Sequence, residues 1–152
     1  MRLYSIRVVM GILVLAVFGL QLLMSPIAAS SIDASVEIKP ETLNVKENRG
    51  GVITAFIEFH DSQYNVSDIN FTSIELQVDI ITAVGSTEPI RCILADDKLV
   101  AKFDASEVAG LIRNTLGHMQ PTPPKAERRL VVKGTVSGFD FEGSDWIRVI
   151  LP

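Results

Sequence analysis

The stretch Ser73-Ile74-Glu75-Leu76-Gln77-Val78-Asp79-Ile80 decides how this chain folds. On an extended backbone Ile74, Leu76, Val78 and Ile80 share one side, and Ser73, Glu75, Gln77 and Asp79 share the other. On a helix the same apolar residues would scatter around the axis. A period of two therefore specifies a strand with one face in a core and one in water. The alternation recurs at Ala34, Val36 and Ile38, and again at Ile53, Ala55, Ile57 and Phe59 within Val52 to Phe59. Ile90 to Leu94 and Lys98 to Phe103 flank Ala95-Asp96-Asp97 and predict a hairpin. Arg129 to Val136 and Asp145 to Ile150 predict a last strand pair around a loop from Ser137 to Ser144.

The stretches between these runs are punctuation. Pro40 has no N–H to give a ladder, so it ends the first strand, and Thr42 to Lys46 is a short extended piece. Glu47-Asn48-Arg49-Gly50-Gly51 is a turn, His60 to Asn70 a polar loop, and Gly85 to Pro89 another loop. Ile81 to Val84 extends the deciding strand past a bend, and Gln120-Pro121-Thr122-Pro123-Pro124 is a stiff connector. One segment follows a different grammar. Asp104-Ala105-Ser106-Glu107 has the form of a capping box, and Val108, Leu111 and Ile112 follow at helical spacing, so a helix is predicted from Ala105 to about Asn114. About seven short strands and one short helix predict a mainly β chain: a single antiparallel β-sandwich, Ig-like or cohesin-like.

The N-terminus reads as an address. Arg2 and Arg7 precede the apolar run Val8 to Met24, which ends at Pro26 and the small residues Ala28, Ala29, Ser30 and Ser31. This is the form of a secretory signal peptide, cleaved between Ala29 and Ser31; an uncleaved N-terminal membrane anchor is the second reading. The division is thus 1–31 signal peptide or anchor and 32–152 β-sandwich domain, with a secreted or cell-surface location. A membrane is involved only through the N-terminal segment, if that is retained. Cys92 is the single cysteine, so no intramolecular disulfide forms and the core must hold by packing. Loss of residues 1–31 removes two Arg and no acid, which moves the formal charge from −4 to −6. That balance argues against nucleic acid, and Lys125, Arg128 and Arg129 are too short a basic cluster to reverse it.

Chemistry-bearing patterns are few. The chain has no Gly-x-Ser-x-Gly, no His-Glu-x-x-His and no phosphate loop. His60 and His118 are the only histidines, and neither has a second ligand close in sequence, so each reads as a solvated loop residue. Asp140, Glu142 and Asp145 are the candidate metal ligands, since calcium takes carboxylates on loops, but their spacing fits a polar hairpin turn better. No cofactor is expected. Asn65-Val66-Ser67 and Asn70-Phe71-Thr72 are glycan acceptor sequons in one loop, which makes Asn65 and Asn70 the glycosylation candidates. Trp146 is the only tryptophan. If Ile147 and Val149 face the core, Trp146 stands outside beside Arg148, and these two are the partner-contact candidates; with the face reversed, Trp146 is core. The plainer reading of Trp146 is a residue packed at a sheet edge with no ligand.

Several blocks together resemble a recurring secreted or cell-surface module of archaea and some bacteria. They are Ile38-Lys39-Pro40-Glu41-Thr42-Leu43-Asn44-Val45-Lys46, Gly50-Gly51, Thr54-Ala55-Phe56-Ile57-Glu58, Val66-Ser67-Asp68-Ile69, Leu99 to Asp104, and Phe141 to Asp145 before Ile147-Arg148-Val149. The resemblance implies a β-sandwich accessory module with no established activity. The chain departs from that pattern in keeping only Asp96 and Asp97 of a calcium-loop-like stretch, and in carrying Trp146 where a small polar residue is usual. The expectation is an exported, non-enzymatic β-sandwich with a structural or adhesive role at the cell envelope. The alternative is a glycan- or protein-binding module that uses Trp146 and the 138–145 loop.

Overall fold

Leu76 and Ile74 are fully buried and Val78 nearly so, while Glu75, Gln77 and Asp79 reach water, as the alternation requires. This is a computed structural model that describes residues 31–45, 50–79, 85–116 and 125–150. Residues 1–30, where the leader is expected, Lys46 to Arg49, Ile80 with its extension Ile81 to Val84, His118 and the proline connector lie outside the described residues.

In chain order the strands are β1 (Ile32–Asp33), β2 (Ser35–Lys39), β3 (Thr42–Asn44), β4 (Val52–Glu58), β5 (Glu75–Val78), β6 (Ser86–Thr87), β7 (Arg91–Ala95) and β8 (Lys98–Asp104). The helix α1 (Ala105–Leu116) follows, then β9 (Lys125–Val136) and β10 (Phe139–Ile150). Two sheets result. Sheet A has the order β1-β10-β9-β5-β6, with β3 also on β10, and sheet B has the order β2-β4-β8-β7. The described residues form a mainly β sandwich with one helix. The strands not expected are the short β1 and β6, which are too brief to carry a periodic signal, whereas β3 falls on the extended piece expected at Thr42 to Lys46. The ladders are antiparallel except that β1 and β3 pair parallel with β10.

The apolar faces of the two sheets meet. Ile38, Ile53, Ile57, Leu99 and Phe103 come from sheet B, and Leu76, Leu130, Phe141 and Ile147 from sheet A; all are essentially sealed from water. Helix α1 adds Val108, Ala109 and Ile112, one stripe at i, i+1 and i+4. Asp104 caps it: Oδ1 accepts the Ser106 N–H at 2.7 Å and the Ser106 hydroxyl. The expected reciprocal half of the capping box does not form. Asp104 is also the last residue of β8 and pairs with Val52, and Glu107 instead accepts the Thr87 hydroxyl, tying α1 to β6.

Three local expectations are corrected. Ser73 belongs not to the strand but to a 3-10 turn, Phe71–Ser73, so β5 begins at Glu75. The polar loop from His60 to Asn70 buries Val66 and Ile69 and holds a second 3-10 turn, Val66–Asp68. The loop from Ser137 to Ser144 shrinks to the two-residue turn Ser137-Gly138. Both of its residues have positive φ (51° and 84°), the geometry that a tight hairpin between twisted strands needs.

Candidate functional site

The 138–145 stretch is therefore almost entirely strand, and this decides the fate of the acidic candidates. Phe141, Ile147 and Val149 point into the core, and Asp140 and Glu142 point out on the opposite face. Asp145 takes the core-facing parity, yet it is used as a structural acceptor: Oδ2 takes the Ile38 N–H at 2.8 Å and Oδ1 the Trp146 N–H at 2.8 Å. Glu142 is engaged by Lys133 at 3.4 Å. Asp140, Glu142 and Asp145 thus do not converge, and among the described residues no group of three His, Cys, Asp or Glu could hold a metal. The strand period puts Asp145 on the opposite face from Asp140 and Glu142, and Lys133 takes Glu142.

Trp146 comes out on the water side, with Ile147 and Val149 inward, and 61% of its surface is exposed. β10 carries β9 along one side for its whole length, but no described strand pairs with its other side from Gly143 to Ile147, so Trp146 stands at a local sheet edge and is exposed there rather than packed. What stands beside Trp146 depends on a strand that changes sheets. β1 pairs with β10 at Phe141 and Glu142, and β3 pairs with it from Arg148 to Ile150. Between them the chain leaves for sheet B as β2 and returns through a cis Lys39–Pro40 peptide. Across this gap the Asp145 carboxylate supplies the acceptor for Ile38 that a neighbouring main chain would otherwise give. The close approach of the two layers shows at Gly143, where a Cβ would lie 2.3 Å from the Ala34 carbonyl oxygen.

The gap forms a groove of about 370 Å³. Glu37, Lys39, Glu41 and Thr42 line one side, with Trp146 and Arg148 of β10 on the other. Lys39 Nζ bridges Glu37 at 3.1 Å and Glu41 at 2.5 Å. The hydrogen bonds that Lys39 donates to Glu41 and Glu37 hold its ammonium above its ordinary pKa, and Lys39 holds the Glu41 carboxyl below its own. The Arg148 N–H donates to the Glu41 carbonyl at 2.8 Å, which fixes the groove wall. Trp146 and Arg148, paired in the sequence as contact residues, do line one groove. Its other wall, Glu37 to Thr42, was not marked as a contact surface by the sequence, because the apposition depends on where the chain leaves sheet A after β1.

The remaining candidates separate. Asn65 and Asn70 are exposed and each caps a 3-10 turn: Asn65 Oδ1 accepts the Ser67 N–H and hydroxyl (both 2.9 Å), and Asn70 Oδ1 accepts those of Thr72 (3.2 and 2.8 Å). His60, Asp61 and Asp97 line a shallow groove with Tyr64, but Asp61 Oδ1 is taken by the Gln63 N–H at 2.9 Å and His60 bonds neither carboxylate. The basic cluster splits across the sheet. Arg129 reaches Asp79 at 3.0 Å on the outer face, whereas Arg128, opposite buried Ile147, has Nε and Nη2 shielded from water without a partner. Among the described residues no helix is long and apolar enough to cross a membrane. No family model matches the chain, and no curated protein or solved structure is similar to it.

Proposed function

We propose that the chain is an exported, non-enzymatic β-sandwich with an adhesive role at the cell envelope, and that it holds a glycan in the Trp146 groove. The observation that carries this reading is the exposed indole of Trp146 at the wall of a polar groove. An aromatic face offers an apolar platform to the C–H side of a sugar ring, and the surrounding ions offer hydrogen bonds to its hydroxyls. Charge is distributed to suit an uncharged polyol: Lys39 is neutralised by Glu37 and Glu41, and Arg148 lies near Glu41. Glu37 and Glu41 are engaged by Lys39 and Asp145 by main-chain N–H groups, so these three serve as fixed acceptors rather than as proton-transfer groups. The leader-like N-terminus and the resemblance to exported modules support the location. On this reading Asn65 and Asn70 carry glycans in a host with the pathway, since both side chains are exposed with a hydroxyl hydrogen-bonded to the amide oxygen.

Trp146 is the sole tryptophan, so its fluorescence reports on this groove alone. Hits from a glycan array should change that emission on titration. Trp146→Ala should abolish binding on the array and leave the melting temperature unchanged. Binding that survives Trp146→Ala, or no hit on the array, would reject the glycan reading. Mass spectrometry of the protein from its host checks the rest: a mature N-terminus between Ala29 and Ser31 is expected, and an intact chain in cytosol would reject export.

A further inference from the structure

Sheet B ends at β7, and no described strand pairs with its far side. The register with β8 fixes where its side chains look. Cys92 stands opposite buried Ala101 and Leu94 opposite buried Leu99, so both take the core-facing side of the sheet. Ile90, two residues before Cys92, takes the same side, and its N–H extends the pairing by donating to the Lys102 carbonyl at 2.7 Å. Yet Ile90 is 61% exposed and Leu94 45%. Sheet A leaves this margin open, and a groove of about 340 Å³ runs beside it, lined by Phe71, Ile74, Pro89, Ile90 and Cys92 among others. Free edges are normally guarded by Lys, Pro or a bulge. The β7 sequence Arg-Cys-Ile-Leu-Ala contains no lysine and no proline, and its ladder with β8 runs without a bulge.

Charge selects the occupant. Arg91 opens β7, and Asp96 and Asp97 form the turn that closes it. A parallel copy would set like charges together. An antiparallel copy brings Arg91 of each chain toward the acidic turn of the other, and the two-fold axis makes this happen twice. We infer that β7 pairs antiparallel with β7 of a second copy, joining the two four-stranded sheets into one continuous sheet with Leu94 and Ile90 buried in the seam. Burial pushes the Cys92 thiol up, which disfavours its thiolate. This edge lies at the opposite end of sheet B from β2 and the Trp146 groove, so the inference stands apart from the glycan reading.

The test is sedimentation velocity of the full-length chain in detergent solution over a concentration series, with hydrogen exchange at β7. The parent should dimerise reversibly, and the β7 amides should exchange more slowly as concentration rises. Leu94→Lys should give a monomer with the parent's melting temperature. Arg91→Asp should lower the association constant at least tenfold, and adding Asp97→Arg should recover it. A parent that stays monomeric, a dimer indifferent to Leu94→Lys, or a charge swap that recovers nothing would each overturn the inference. Association through the N-terminal apolar segment, which every variant retains, would be indifferent to Leu94→Lys and would overturn it too.

Discussion

Gly143 shows how one residue can fix the relation between two layers. It sits in β10 where the chain passes from β1 to β2, and the added Cβ of an alanine would meet the Ala34 carbonyl oxygen at 2.3 Å and Val36 Cγ2 at 2.4 Å. The first of these is backbone and cannot rotate away, so Gly143→Ala must push the crossover off the sheet. The expected cost is about 2–3 kcal/mol in chemical denaturation, as for other overpacked sites. Gly50→Ala is the matched control: a Cβ there meets nothing within 4 Å, and stability should be unchanged. Composition alone presents Gly143 as a loop residue beside acids, because its requirement comes from a main chain more than a hundred positions earlier. Asp145 was illegible for the same reason, since its partner is the N–H of Ile38. Trp146 was half legible: the alternation sets it opposite Ile147 and Val149, but which of the two faces meets the core is decided by the packing.

Among the elements, those that carry their own period could be read directly, while those that borrow pairing from distant chain could not. β4, β5, β7 and β8 follow from alternation and turn residues. β1 and β6 have two residues each and exist only because β10 or β5 is already in place beside them. β10 starts earlier than expected because Asp140 and Glu142 resemble a loop, although they alternate with Phe141; a Ser-Gly pair ahead of that alternation was the available signal. The helix was legible through its cap, and the cap predicts a pH response. Hydrogen bonds from the Ser106 hydroxyl and the main chain of Ser106 and Glu107 lower the Asp104 pKa below its ordinary 3.8. A lowered pKa means that the folded state favours the carboxylate. The cap's contribution is then complete above the ordinary value and is lost as pH falls through the folded one. Helical circular dichroism should therefore weaken at pH below about 3.8, and Asp104→Ala should lower the melting temperature at neutral pH and remove that acid step. An acid response identical in the variant would assign the loss to other carboxylates.

At the scale of the whole molecule, stability has a single main source, the apolar seam between the sheets. With one cysteine there is no disulfide, and the described ion pairs lie at the surface, where each contributes little. Leu76 lies in that seam, fully buried, opposite Val132 on one side and Thr87 on the other. Leu76→Asp would strand a carboxylate there without a partner, at a cost of more than about 4 kcal/mol, which is comparable with the total stability of a small domain. The cooperative thermal transition should disappear, whereas Gln77→Glu, one residue on and facing water, should keep it. The same reasoning makes the fold indifferent to metal, since the core is held by hydrocarbon. EDTA should leave the melting temperature of the parent unchanged; a fall of several degrees would show that a bound cation supplies stability here assigned to packing. A cooperative transition in Leu76→Asp would be the more damaging result, because it would mean that β5 does not face the core and that the alternation at Ile74, Leu76 and Val78 serves some other surface.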